Sequence, residues 1–252
     1  MLFLFYGGVI MAAQENALDS KTANFFTYFA LHSRITLTHS KSKSKMDQTL
    51  LLIFQLAILI MSVVVHEVSH GLMANRLGDP TAKQMGRLTF NPLSHLDFMG
   101  SFLVPLITSL GGGFIFGWAK PVPYNPYNLK NQKWGPALVA GVGPFSNFVV
   151  ALVFGLTLRF GQTYLPDPAL LAMSLIIYIN ILLGIFNLVP IPPLDGSKIL
   201  AAFLPYRYER YLLALERWGM ILVLAFVFFI FPLISPIVPI LFRVITGLFM
   251  GY

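Results

Sequence analysis

The hydrophobic positions of this chain fall into long blocks free of Asp, Glu, Lys and Arg. Residues 48–65, 134–158, 168–194 and 218–242 each form such a block, and the first continues as one helix through Ala74. A helix needs about 20 mostly apolar residues to cross a bilayer, so the pattern predicts membrane-spanning helices at these four places. A fifth block, residues 98–119, is long enough but holds Pro105 and three consecutive glycines at 111–113. Its second half is therefore a poor helix. Pro232, Pro236 and Pro239 predict a last span that is kinked or split into a hairpin.

Between the first two clear blocks the pattern changes. Residues 86–92 have an alternating look and residues 118–126 are punctuated by proline, which predicts two or three short edge strands. Strand edges exposed to lipid have no water to bond, so this segment must lie at the membrane interface or against protein. The apolar run 1–13 is too short to span and lacks the basic flank of a signal peptide. Polar residues follow, ending in Lys41, Lys43 and Lys45. Composition predicts a poorly structured extension over 1–45, or a translation start set upstream of Met46. A membrane-embedded core over 46–204 and a C-terminal helix or hairpin over 205–252 complete the expected organisation.

Composition supports the membrane reading. The 252 residues are 56% hydrophobic and 11% charged, whereas soluble domains carry roughly 25% charged residues. The net charge of +7 is spread between apolar blocks, which fits membrane topology and not a nucleic-acid partner. There is no cysteine, so any metal site must use His, Asp, Glu or backbone oxygens.

The strongest chemical signal is His66-Glu67-Val68-Ser69-His70 at the end of the first block. On a helix, positions i and i+4 share a face, so both imidazoles reach one metal ion. Glu67 sits beside them as a general base toward water. Ionisable residues at the end of an apolar helix are costly and usually functional. A catalytic zinc takes three protein ligands, and the third must come from His95, Asp97 or Asp195. Asp195 follows Pro190, Pro192 and Pro193, which break the helix at the end of block 168–194, and precedes Gly196. It reads equally well as a ligand or as an ordinary helix cap. Asn147 is an amide within an uncharged block, suited either to a helix–helix hydrogen bond or to a donor for a substrate carbonyl. His95 either bonds the loop near the metal or caps Asn91 and Pro92.

Taken together, these elements resemble the site-2 protease family of intramembrane zinc proteases. The likeness rests on His66-Glu67-x-x-His70, on Asn187-x-x-Pro190-x-x-Pro193-x-Asp195-Gly196 and on Gly143-Pro144-x-x-Asn147 between them. Residues 87–97 and 117–123 resemble the compact prokaryotic branch, and nothing resembles a PDZ or CBS domain. The resemblance covers residues 46–204. It implies His66, His70 and Asp195 as ligands of one zinc ion, Glu67 as the base and Asn147 near the scissile carbonyl. The implied fold is an α-helical integral membrane protein with a three-helix catalytic core. A re-entrant or interfacial β segment and C-terminal membrane helices accompany that core. The implied activity is zinc-dependent hydrolysis of peptide bonds within or next to transmembrane helices of substrate proteins, in regulated intramembrane proteolysis at the cell membrane. A membrane metal transporter is the alternative, because intramembrane His and Asp also mark ion pathways.

Parity sharpens the topology. His66 and His70 lie near the end of one span and Asp195 just past another, so the ligands meet only if both ends reach the same face. That requires residues 98–119 to be re-entrant, with 134–158 as the single return crossing. Positive charges tie between this scheme and a fully spanning one. Without residues 1–45, the re-entrant scheme leaves Arg159 as the lone outer charge among those counted up to Arg217. The positive-inside bias then places a multi-pass protein with its catalytic site toward the cytoplasm.

Overall fold

The computed structural model describes residues 2–4, 44–104, 106–107 and 116–247. The glycines at 111–113, which carry the re-entrant expectation, and most of the expected N-terminal extension lie outside these residues. Strand β1 is Leu2–Leu4, and helix α1 runs Ser44–Arg76. Short helix α2 (Thr81–Gln84) and strand β2 (Phe116–Trp118) follow. Then come α3 (Gly135–Gly161), α4 (Asp167–Asn187) and α5 (Asp195–Phe203). Helices α6 (Glu209–Glu216), α7 (Gly219–Ala225), α8 (Phe231–Ile234) and α9 (Ile237–Thr246) end the chain. The protein is an α-helical membrane protein.

Three helical stretches are long and apolar enough to cross a bilayer: Ile53–Arg76, Gly135–Gly161 and Asp167–Asn187. They coincide with the first three uncharged blocks. The fourth block forms a broken pair, Gly219–Ile234 and Ile237–Thr246, bent by 51°. The bend falls at Ser235 and Pro236, where the missing proline N–H interrupts the helical ladder. Among the described residues, 98–119 contribute no spanning helix; Met99–Leu103 forms one π-helical turn.

The chain divides into two compact units, residues 1–54 with 96–120, and residues 55–95 with 121–252. In the first, β1 and β2 pair antiparallel, with Leu2 opposite Trp118 and Leu4 opposite Phe116. Asp97 accepts from the Gly100 N–H at 2.7 Å, and Ser101 Oγ donates to Trp118 O at 3.0 Å, which ties the π-turn to β2. Only one strand of the expected two or three appears in 86–126 among the described residues. Residues 86–91 bond locally instead, through Arg87 N to Ala82 O at 2.9 Å and Asn91 N to Thr89 Oγ1 at 3.2 Å. Pro121 and Pro123 lack the N–H groups a ladder needs.

In the second unit, α3, α4 and α9 pack around Ala151, Leu158, Ile177, Ile181, Val238 and Phe242. Lipid tails are as apolar as leucine, so close packing and not water exclusion holds such helices together. The opposite face of α3 exposes Phe145, Val149, Val153 and Phe160, as a lipid-facing surface should. Helix α4 stops at Asn187 because Pro190, Pro192 and Pro193 cannot continue it. Two short turns then deliver the chain to Asp195, through Ile191 N to Val189 O and Leu194 N to Ile191 O.

The loop after α1 is fastened by Asp79, which is fully buried. Its carboxylate accepts from Thr81 N and Oγ1, from Asn125 N at 2.6 Å and from Asn128 Nδ2 at 2.9 Å. Burial alone would raise its pKa, but these donors outweigh burial and hold it below the ordinary carboxylate value. A depressed pKa contributes stability above the unfolded value of about 3.9 and loses it as pH falls through the folded value. Asp79→Ala should therefore destabilise the protein by about 2 kcal/mol at pH 7. Melting curves in detergent should show the difference from wild type shrinking as the pH is taken below about 4.

Candidate metal centre

His66, Glu67 and His70 lie in the spanning stretch of α1, one helical turn placing both imidazoles on the same face. The rings are 4.5 Å apart and nearly perpendicular at 87°, so both Nε2 atoms converge instead of stacking. Asp195, first residue of α5, meets them from across the fold. Its Oδ2 lies 3.0 Å from His66 Nε2 and 3.2 Å from His70 Nε2. Ligand atoms of these three buried residues all lie within 4.8 Å of one another. Among the described residues this is the one such cluster.

The hydrogen bonds behind the rings settle what those atoms are. His70 Nδ1 lies 2.6 Å from Val139 O, a carbonyl that can only accept, so Nδ1 carries the proton. His66 Nδ1 lies 2.6 Å from Asn147 Oδ1 and donates to it. Each ring therefore turns its Nε2 toward the Asp195 carboxylate oxygen, and at these distances a proton or a metal cation has to lie between them. A cation there would take one lone pair from each of the three residues. Two imidazoles and one carboxylate form a donor set that suits zinc, and a His whose other nitrogen donates to a carbonyl is the usual supported ligand.

Glu67 is buried, and its Oε2 accepts from the Val122 N–H at 2.9 Å. The extended segment around Val122 thus fixes the carboxylate beside the metal ligands. Lys198 of α5 lies over the Tyr124 ring at 5.7 Å, so the same segment is also tied to the helix carrying Asp195. Two glycines permit the close approach. A Cβ at Gly143 would overlap the rings of His70 and His66, so α3 can pass the ligands only with hydrogen there. A Cβ at Gly196 would strike the Leu188 and Val189 carbonyls, so α5 can start against the end of α4 only with glycine.

The remaining expected residues fall elsewhere or in other attitudes. Asn147 is fully buried, and both amide hydrogens are engaged, by Asn180 Oδ1 at 2.8 Å and Ser62 O at 3.3 Å. It therefore offers no free donor to a substrate carbonyl in this arrangement, and supports His66 instead. His95 bonds Thr89 O at 2.9 Å within its own loop and is not in the ligand cluster. Asp97 closes the π-turn. Sequence reasoning missed Val122 and Val139, which act through backbone atoms that carry no sequence signal. It also missed Asn180, although an amide in the uncharged block 168–194 deserved the same question as Asn147.

Comparison with known proteins identifies the family. Residues 167–231, which include Asp195, match the model of peptidase family M50. YwhC of Bacillus subtilis, whose name places it among zinc metalloproteases, is 36% identical over 69% of this chain and 79% of its own length. Rip2 of Mycolicibacterium smegmatis, named likewise, is 30% identical over 65% of this chain and 62% of that protein. Zinc metalloprotease MJ0392 of Methanocaldococcus jannaschii is 26% identical over 60% of this chain and 34% of that protein. No solved structure matches. With its ligand set assembled on apolar helices and relatives of this closeness, the chain belongs to peptidase family M50, the site-2 proteases, and is a zinc metalloprotease of the membrane.

Proposed function

We propose that this protein is an intramembrane endopeptidase that hydrolyses peptide bonds within or next to the transmembrane helices of other membrane proteins. The observation that carries this reading is the position of the ligand set. Two of its members and the adjoining carboxylate lie in an apolar helix long enough to cross a bilayer, where soluble substrates do not reach.

The residues divide the work as follows. His66, His70 and Asp195 would hold zinc, which supplies Lewis-acid polarisation of water and of the peptide carbonyl when bound. Glu67, fixed by the Val122 N–H, takes a proton as water adds to the carbonyl carbon. The same carboxyl then returns a proton to the amine as the C–N bond breaks. Val139 and Asn147 keep the two imidazoles turned so that Nε2 of each faces the centre. Peptide bonds inside a helix are shielded by their own hydrogen bonds, so the substrate must unwind locally. The extended segment at Val122 is where a strand-like substrate would meet the base, in the manner of β-augmentation.

The three spans account for the ligand geometry with one return crossing. Helix α1 reaches one face with His66 and His70, α3 returns, and α4 comes back to that face just before Asp195. We place that face toward the cytoplasm, in a multi-pass cell-membrane protein.

Purified Glu67→Gln should keep its zinc while cleavage of a single-span test substrate falls about 10²–10⁴-fold; undiminished hydrolysis would sink the assignment. Gly143→Ala should weaken zinc binding about tenfold or more, because its methyl group displaces both imidazoles. The chain has no cysteine, which makes labelling straightforward. Lys130→Cys should react with an impermeant maleimide only from the cytoplasmic side, and Tyr164→Cys, between α3 and α4, only from the other. The reverse pattern would invert the topology.

A further inference from the structure

Behind His66 a chain of side-chain amides runs from the metal centre into the contact of α1, α3 and α4. Its direction follows from groups that can only accept. Asn180 Nδ2 lies 2.8 Å from Ile176 O, and a carbonyl oxygen requires a donor. The same nitrogen lies 2.9 Å from Ser62 Oγ. The Asn180 oxygen is therefore turned to Asn147, whose Nδ2 reaches it at 2.8 Å and reaches Ser62 O at 3.3 Å. That leaves the Asn147 oxygen facing His66 Nδ1 at 2.6 Å, which must be an N–H.

Two carboxamides thus transmit the polarity of two main-chain carbonyls, Ile176 O and Ser62 O, to one ring nitrogen. His66, Asn147 and Asn180 are all fully buried, so no water competes. Turning either amide over would set acceptor against acceptor in a site of low dielectric, which is strongly unfavourable. The chain spans three helices, so it also registers them against each other at the level of the ligands.

We propose that Asn180, assisted by Ser62, is a positioning residue of the metal centre. It locks Asn147 with its oxygen toward His66, and so holds His66 with Nδ1 protonated and the Nε2 lone pair on the metal. Asn147 then acts on a metal ligand and not on the substrate. The proposal rests on the zinc reading of His66, His70 and Asp195. Groups of this kind behind a metal ligand are typically worth 10–100-fold in metal affinity.

The test is zinc affinity of the purified full chain, measured by competition with a chromophoric chelator, together with the absorption spectrum of the Co²⁺ form. Zinc binding by the unsubstituted protein is read first, and its absence would overturn the metal-centre reading and this proposal together. Asn180→Leu is expected to weaken zinc binding about 10–100-fold and to shift the Co²⁺ spectrum, with helix content and the melting temperature of the metal-free protein kept. Asn147→Leu should lose at least as much. Ser62→Ala keeps the carbonyl and removes only the hydroxyl. It should weaken zinc several-fold and serves if Asn180→Leu does not fold. Wild-type affinity and an unshifted spectrum in folded Asn180→Leu, or in Ser62→Ala if that alone folds, would overturn the proposal.

Discussion

His66 Nε2 and His70 Nε2 both meet Asp195 Oδ2, at 3.0 and 3.2 Å, in a buried cluster that only a proton or a metal cation can hold together. The groups around the three residues hold that arrangement. The Val139 carbonyl and the Asn147 amide oxygen each accept from the far ring nitrogen, which turns the near one toward Asp195. In a buried site this polarity is worth more than it would be in water, because no solvent dipole replaces it. The same burial makes any defect costly, so the amide chain through Asn180 and Ser62 has one arrangement in which every donor meets an acceptor.

The helices are subordinate to that requirement. The end of α4 lies close to His66 and His70, and the proline-rich break lets α5 begin with Asp195 turned toward them. Hydrogen in place of a side chain at Gly143 and Gly196 provides the room. In lipid the helices gain nothing by hiding apolar surface from water, so close contacts and buried amide pairs do the holding. The apolar outer face of α3 needs no partner, because the bilayer is its solvent.

Outside the spans the physics is that of a soluble protein. The loop that carries Val122 is clamped by Asp79, whose carboxylate gathers four hydrogen bonds, and that clamp fixes the donor on which Glu67 rests. Glu67 is therefore positioned by main chain from a loop, and His66 and His70 by an amide and a carbonyl from a spanning helix. A substitution in the loop can disturb Glu67 while leaving the two imidazoles in place.

How much of this could be read from the order of residues follows from what each feature depends on. Long uncharged blocks must become spanning helices in lipid, because nothing else satisfies the backbone there. The spacing of His66 and His70 puts them on one face by helix geometry alone, with Glu67 beside them. Spacing left Asp195 even between a ligand and a helix cap; a family likeness added it to the set, and the parity of crossings was inferred from that. The strands were less legible: of the two or three expected in 86–126, β2 alone appears among the described residues, and it takes its partner from residues 2–4. Legible to no pattern were Val122 and Val139, whose backbone atoms any residue could supply, and the turning of Asn147 toward His66. That last decision needs the directions of four hydrogen bonds from three helices at once. Helical period and hydropathy are local properties and so belong to the sequence. The identity of each donor and acceptor at the metal centre is a property of contacts between distant segments, and only the tertiary structure decided it.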